Sequence, residues 1–173
     1  YAFVTLPTLK RKAIYASYAF CRLCDDAADS DTPNNDKLRR LDGLRRKLHS
    51  AFAGTPEGPV FTALAHAVPA FEIPQEYFQE IVSGVEIDLT KSRYQDFTEL
   101  RSYCYQVASV VGLICLQIFG YSNAKAKDYA IDLGLAMQFT NILRDLKEDL
   151  DRDRVYLPQN EISEFGCSLE ELR

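Results

Sequence analysis

The stretch Gln138–Asp149 constrains the fold most, because its polar residues recur at a helical spacing. At about 100° per residue, an α-helix brings Gln138, Asn141, Asp145 and Asp149, which are three, four and four positions apart, onto one face. The apolar residues between them face other sides and are available for packing. The pattern therefore predicts a packed helix with one polar stripe.

This stripe predicts a metal site. Asn141, Asp145 and Asp149 offer only oxygen ligands, which hard divalent cations such as Mg²⁺ prefer, and so few protein ligands leave coordination positions open for phosphate oxygens. The simpler interpretation is a solvated helix face, because Asp usually lies on the surface. A second acidic cluster more than a hundred residues earlier in the chain favours the metal site.

The second cluster ends the first predicted helix. One face of that helix is aromatic at one end, cationic in the middle and acidic at the other, and its members are Tyr15, Tyr18, Arg22, Asp25 and Asp29. Carboxylates near a helix C-terminus are disfavoured by the macrodipole, by several tenths of a kcal/mol each. A bound cation would remove this cost. Asp26 is rotated by about 100° from Asp25, so we expect it to support the metal ligands without binding the metal itself.

Composition predicts an all-α protein with one domain over residues 1–173. A chain of 173 residues with 47% apolar and 26% charged residues suits a globular domain with a sizeable core. Helical patterns follow one another without a strand pattern or an internal repeat. The net charge of −5 argues against a nucleic-acid partner, which would need a basic surface.

The cysteines indicate a reducing, cytoplasmic location. Five cysteines without a signal peptide are typical of free thiols. Cys21 and Cys24 have a spacing found in zinc sites, but no second pair follows and His49 and His66 stand alone. Packed helix thiols are the simpler interpretation.

Three other segments of the sequence have both a structural and a functional interpretation. The apolar stretch from Val107 to Phe119 is shorter than the ~20 residues that a bilayer needs, so it predicts a buried helix. The basic helix from Asp36 to Phe52 is expected to have a solvated face, and weak peripheral contact with an anionic membrane is the alternative. Asp149, Asp151 and Asp153 match the start of a calcium loop, but Arg154 stands where that loop needs Gly.

Two helices that each present carboxylates four residues apart, across a cavity with apolar walls, suit one kind of chemistry. Mg²⁺ ions bridge the carboxylates to a diphosphate and stabilise the charge that develops on this leaving group. Departure of the diphosphate leaves an allylic cation, which aromatic faces stabilise. Apolar walls hold the hydrocarbon tail.

At these residues the sequence resembles the squalene/phytoene synthases, which are head-to-head class I prenyltransferases. The matching stretches are 15–29, 103–112, 138–149 and 154–158, in the family's order and spacing. The resemblance implies the all-α class I isoprenoid synthase fold, lacking its C-terminal helices. Members condense two prenyl diphosphates through a cyclopropyl intermediate, and squalene synthases also use NADPH.

The resemblance also assigns roles to residues. It implies that Asp25 and Asp29 form the first Mg²⁺-binding pair, and that the second set is Asn141, Asp145 and Asp149, so that the four aspartates are catalytic. It implies that diphosphates are held by Arg22, Arg144 and Gln138. Residues that would line the prenyl tunnel are Tyr18, Tyr103, Val107 and Val111.

The chain departs from the family pattern in two respects. Asp153 stands where the family has Gly before the Arg of its second signature. Members are longer and carry further helices, whereas this sequence starts without Met and stops as a new helical pattern begins, so we expect a fragment or a processed product.

The predicted substrate is farnesyl diphosphate, which would give a C30 triterpene or carotenoid precursor. Tyr15 lies ten residues before Asp25, or about 15 Å along the helix, so it is expected to form the floor for a C15 tail, with help from Phe3. The alternatives are a phytoene synthase that uses geranylgeranyl diphosphate, another class I terpenoid synthase, and a non-catalytic relative that acts as a scaffold. The intact aspartates argue against the last of these.

Overall fold

Helices follow one another along the whole of the chain that the computed structural model describes, residues 3–172. They are α1 (Thr8–Asp29), α2 (Asn34–Phe52), α3 (Pro59–Phe71), α4 (Gln75–Thr90), α5 (Phe97–Cys104), a π-helical segment (Tyr105–Ser109), α6 (Val110–Phe119), α7 (Ala126–Arg144), α8 (Leu146–Asp151) and α9 (Gln159–Glu164). Within these residues no named strand forms, and one isolated parallel bridge joins Arg93 to Val155. The predicted all-α class is confirmed.

Two packed clusters organise the helices. The larger lies between α1, α2, α3, α4 and α6, and its centre is formed by aromatic rings such as Phe20 and Phe78, whose centroids are 5.4 Å apart. The smaller lies around Tyr94, Tyr103 and Tyr156, next to α5 and α7. The larger cluster reaches the ends of α1 and α4 through Ala27 and Val85, and Ile87 near the end of α4 packs against the smaller one. The clusters therefore position the acidic residues at these helix ends.

The helix with the predicted polar stripe is not continuous. The sequence predicts one helix as far as about Leu150, but α7 ends at Arg144 and Asp145 has φ −98° and ψ 9°, outside the helical geometry. The chain resumes at once as α8, and Asp149 N–H still donates to the Asp145 carbonyl at 3.0 Å. Asn141 and Asp149 therefore lie on two successive helices rather than on one straight face.

The sequence predicts a long apolar helix that is capped by Asp96 or Thr98 and contains Tyr103 and Ile114, and the structure agrees. α5, the π-helical segment and α6 run without a break from Phe97 to Phe119, over 23 residues. By length and composition alone, this is one helix in the described chain that is apolar enough to cross a membrane, a test that the core helix of a soluble protein also passes. It begins at Asp96, whose carboxylate accepts a hydrogen bond from Glu99 N–H at 2.9 Å, so that predicted cap is confirmed.

Close helix contacts explain the glycines in the apolar helices. A Cβ on Gly134 would lie 2.4 Å from the Ser109 Cα, and one on Gly112 would lie 3.1 Å from the Ala130 carbonyl oxygen. Only a residue without a side chain lets α7 approach the π-helical segment and α6 so closely. From the sequence, a glycine inside an apolar helix costs about 1 kcal/mol against Ala and predicts either close helix approach or room for a ligand. The close approach is confirmed.

The other helix predictions are confirmed in part. α2 places Leu41 and Leu48 in the core, but Arg45, which is expected to face solvent, donates two hydrogen bonds to Glu86 on α4. The predicted cap of α7 at Ser122 or Asn123 is wrong, since α7 begins three residues after Asn123. Membrane contact by the remaining basic residues of α2 stays a prediction.

Candidate active site

A polar cavity of about 340 Å³ opens between the ends of α1 and α4, the start of α2 and the segment that follows α8. Its charged and polar lining consists of Arg22, Asp25, Asp29, Asn34, Lys37, Asp88 and Arg154. Three of these residues, Arg22, Asp25 and Asp29, are predicted from the sequence. The cavity therefore combines carboxylates with cationic side chains.

Asp25 and Asp29 lie in the last turns of α1, as predicted. Partial burial raises the pKa of Asp25 above its ordinary value, Arg22 lowers it, and the neighbouring charges of Asp29 and Asp26 raise it. Arg22 is the main opposing influence on the Asp25 pKa, although its guanidinium lies 4.0 Å from Asp25 and only 2.8 Å from Asp26. The net effect is still a raised pKa. An additional cation between Asp25 and Asp29 would therefore be favoured.

Asp88 is one of four charged or polar residues of the cavity lining that the sequence does not predict, and the others are Asn34, Lys37 and Arg154. Asp88 ends the core-facing side of α4, three positions after the buried Val85, and its Oδ1 accepts a hydrogen bond from the Tyr156 hydroxyl at 3.1 Å. Burial raises the pKa of Asp88, while hydrogen bonds from Tyr103 and Tyr156 lower it. The sequence does contain one signal for Asp88, since it follows the buried residues Ile81 and Val85 at helical spacing. A carboxylate on the buried face of a helix needs a partner, which marks it as a candidate for a specific role.

The second acidic set lies outside the polar cavity. Asp145 forms an ion pair with Arg144 at 2.6 Å, and the hydrogen bonds from that guanidinium lower the pKa of Asp145. Burial raises the pKa of Asp149, Arg154 lowers it and Asp145 raises it again. Asp149 also acts on the pKa of Asp88, which lines the cavity. Asp88 thus lies in the same cavity lining as Asp25 and Asp29, and its pKa responds to the charge of Asp149.

The donor set fits a hard cation that takes part of its coordination from phosphate. Within residues 3–172, no three carboxylate, imidazole or thiol groups converge on one point. Each set offers one or two carboxylate groups and, on α7, the amide of Asn141. Because Mg²⁺ is commonly held by one or two carboxylates together with waters and substrate phosphates, this arrangement suits Mg²⁺ better than a metal that needs an all-protein cage.

An apolar groove of about 670 Å³ runs between α6 and α7. Val107 and Val111, two of the predicted tunnel residues, line it, and Gln138 and Asn141 lie in the same lining. The Asn141 amide donates to the Gln138 side chain at 3.5 Å. The groove therefore joins apolar walls to the polar residues at the C-terminal half of α7.

The predicted aromatic residues lie in three different surroundings. Tyr103 is buried between Tyr94 and Tyr156, with both ring centroids 5.4 Å away, and does not line the apolar groove. Tyr15 is 48% exposed in a separate groove between α1 and α3, and Tyr18 is 68% exposed. The structure thus brings neither Tyr15 nor Tyr18 into the lining of the polar cavity, and their roles with substrate stay predictions.

An all-α bundle with an acidic pair at the end of its first helix and a second acidic set after a long apolar helix defines a protein with the isoprenoid synthase fold. The family model described as squalene/phytoene synthase matches residues 1–173. The chain belongs to the squalene/phytoene synthase family, as its motifs predict.

Relatives and solved structures agree with this assignment. The chain is 37% identical to a phytoene synthase of Arthrospira platensis over 96% of its own length and 58% of the relative's. It is 40% identical to a chloroplastic phytoene synthase of Narcissus pseudonarcissus, over 94% of this chain and 40% of that one. The chain thus spans about half the length of such curated relatives.

The fold is also that of solved family members. The squalene synthase HpnC from Alicyclobacillus acidocaldarius superposes with a TM-score of 0.90 at 31% identity, covering 99% of this chain and 64% of that one. A dehydrosqualene synthase in complex with ligand gives a TM-score of 0.87 at 35% identity, covering 99% and 59%. The class I isoprenoid synthase fold predicted from the sequence is confirmed.

Proposed function

We propose that the protein is a Mg²⁺-dependent prenyltransferase that condenses two prenyl diphosphates head to head through a cyclopropyl diphosphate. The observation that carries this proposal is the polar cavity, in which Asp25 and Asp29 face Arg22, Lys37 and Asp88. Family membership over residues 1–173 supports the same reaction class. The intact aspartates support a catalytic protein over a scaffold.

In this proposal the acidic and the basic residues of the chain have different roles. Asp25 and Asp29, with Asp145 and Asp149, bind the ions that connect the protein to the diphosphates. When bound, Mg²⁺ would neutralise the negative charge on the leaving diphosphate. Lys37 adds a positive charge on the wall of the polar cavity.

The apolar groove between α6 and α7 would hold a hydrocarbon tail and exclude water from it. Its walls include Val107, Val111 and Leu133, and its volume of about 670 Å³ falls in the range of small-molecule sites. Gln138 and Asn141 would face the polar head of the bound chain. This arrangement keeps an allylic cation away from bulk water after the diphosphate leaves.

For the substrate we propose geranylgeranyl diphosphate, which gives a C40 carotenoid precursor. Two relatives at 37% and 40% identity are named phytoene synthases. Tyr15, the predicted floor for a C15 tail, is 48% exposed and lines the groove between α1 and α3 rather than the polar cavity. Farnesyl diphosphate, the substrate expected from the sequence, is the second candidate, since two similar structures are a squalene and a dehydrosqualene synthase.

Product analysis tests this proposal. The protein is incubated with Mg²⁺ and either geranylgeranyl or farnesyl diphosphate, with and without NADPH, and the hydrocarbons are identified by gas chromatography and mass spectrometry. We expect a symmetric C40 hydrocarbon whose yield does not depend on NADPH. A longer linear diphosphate or a cyclic terpene would instead identify a different class I terpenoid synthase.

A matched pair of variants connects the product to the site. Asp29→Asn removes one carboxylate of the polar cavity and is expected to abolish the product, whereas Asp31→Asn, two positions along the chain, alters an exposed residue outside the lining. Equal activity of the two variants would contradict the assignment of the cavity.

A further inference from the structure

The turn at Asp153 has an unusual backbone conformation. Its φ of 58° lies in the left-handed region, which most residues with a side chain avoid and which Asp adopts more readily than most. Asp153 is a non-glycine residue, and its side chain is 88% exposed. Because this side chain is exposed, contacts with neighbouring residues rather than its own packing would stabilise the turn in this conformation.

Arg93 holds this turn through two groups at once. Its Nη1 donates to the Asp153 carbonyl oxygen and its Nη2 donates to the Asp153 Oδ1, both at 2.5 Å. The neighbouring backbone is fastened at the same point, because Val155 N–H donates to the Ser92 carbonyl at 2.9 Å and Arg93 pairs with Val155 in a parallel bridge. Arg93 itself is anchored, with a side chain only 30% exposed.

The turn determines where the next side chain goes. Arg154 N–H donates to the Asp149 carbonyl at 2.8 Å, and the Arg154 side chain enters the lining of the polar cavity. There its Nη2 donates to the backbone carbonyl of Asp88 at 3.3 Å. Arg154 forms none of the ion pairs found among residues 3–172, although its side chain also interacts with Tyr156 and Asp88. A guanidinium has five N–H donors, so these contacts still leave donors that can bind an anion.

We propose that Arg154 binds the diphosphate in the polar cavity and that Arg93 is the positioning residue that places it there by holding Asp153 in the left-handed conformation. This inference rests on the proposed function, because it assigns residues of the same cavity. A guanidinium offers paired donors that match two phosphate oxygens. Loss of the Arg93 contacts would free the turn and let Arg154 leave the position that binding requires.

The inference predicts a coupling between Arg93 and Asp153. Glycine adopts the left-handed region without a steric cost, so the turn should depend less on Arg93 once Asp153 is replaced by Gly. The Arg93→Ala change should therefore weaken anion binding strongly in the parent and weakly in an Asp153→Gly background. The exposed Arg93–Asp153 ion pair by itself would contribute little, so the carbonyl contact carries most of this effect.

The test measures the affinity for inorganic pyrophosphate with Mg²⁺ by isothermal titration calorimetry. Arg93→Ala and Arg154→Gln are each expected to raise the Kd about tenfold, the loss expected for a hydrogen bond to a charged group. Arg152→Ala, which removes a nearby exposed Arg outside the cavity lining, is the matched control and should change the Kd by less than about twofold. In Asp153→Gly, Arg93→Ala should raise the Kd by less than about threefold.

Each outcome decides between positioning and mere stabilisation. If Arg93→Ala lowers the melting temperature but leaves the Kd of the folded protein equal to that of Arg152→Ala, the inference is overturned while the proposed function stands. If the parent itself does not bind pyrophosphate, the proposed function of the cavity fails as well. Should Arg93→Ala not fold, Arg93→Lys gives the same test, because one ammonium group cannot replace both guanidinium contacts.

Discussion

The carboxylates of the polar cavity should oppose folding when no cation is bound, and Asp25→Asn tests this directly. Asp25 lies in the last turns of α1, next to Asp29 and Asp26, and partial burial together with these charges gives it a raised pKa. Asn has the same shape without the charge. We therefore expect Asp25→Asn to unfold with a higher free energy than the parent at pH 7.

The expected gain is small because the side chain is 51% exposed and solvent screens it. A charge of the wrong sign at a helix C-terminus costs about 0.3–1 kcal/mol, and a like-charge neighbour four residues away adds a few tenths. The lost interaction with Arg22 offsets part of this gain, although that guanidinium lies 4.0 Å from Asp25 and keeps its contact with Asp26 at 2.8 Å. The net expectation is an increase of about 0.5–1 kcal/mol.

The pH dependence gives the sign of the effect. A pKa that is raised in the folded state means that protonated Asp25 favours folding, so its contribution is fully present below the ordinary carboxyl pKa and is lost as the pH rises through the raised value. The advantage of Asp25→Asn should thus grow from acid pH to pH 7. Urea unfolding of the two proteins across this range measures it.

Mg²⁺ with pyrophosphate should reverse the order of stability. A ligand that binds only the folded state raises the free energy of unfolding, and the parent should gain more than Asp25→Asn. Asp26→Asn is the control, because Asp26 pairs with Arg22 outside the cavity lining and its removal should give neither the gain nor the loss of ligand response. A parent that is more stable than Asp25→Asn without ligand at pH 7, or a difference that does not change with pH, would refute this reasoning.

Three further predictions follow from other parts of the molecule. Gly134→Ala should lower the free energy of unfolding by roughly 1–3 kcal/mol, because its Cβ would lie 2.4 Å from the Ser109 Cα, whereas Gly43→Ala, with 3.9 Å to its nearest neighbour, should be neutral or stabilising in the same urea titration. Asp145→Asn should keep the fold and cut kcat about 10²-fold in the product assay, and an unchanged kcat would contradict its catalytic role. Tyr15→Ala should leave the ratio of kcat/KM for geranylgeranyl and farnesyl diphosphate unchanged, because this side chain is 48% exposed and does not line the polar cavity. A shift towards the longer substrate would contradict this and support Tyr15 as the floor predicted from the sequence.

The helical class and the first acidic pair could be predicted because they depend on local periodicity. Spacings of three and four place Asp25 and Asp29 on one face wherever α1 packs, and both line the polar cavity. Gly112 and Gly134 could likewise be predicted, since glycine in an apolar helix costs stability unless another backbone comes close. These features need only the neighbouring residues in the chain.

Other features depend on contacts between distant residues, which periodicity does not contain. The break at Asp145 places Asn141 and Asp149 on two helices, although their spacing is that of one face. Asp88 resembles any helix-end carboxylate until Tyr156, which is 68 positions away, donates to it at 3.1 Å.

The sequence by itself determined the all-α class, the family and the oxygen-donor character of the two acidic sets, because each of these depends on residue type and local spacing. The tertiary structure alone decided which charges share a cavity. It brings Arg154 beside Asp88 through the Arg93-held turn, and it leaves Tyr15 in a groove of its own. The physical reason is that electrostatic and hydrogen-bond energies depend on distances in space, and these distances are set by how the helices pack against one another.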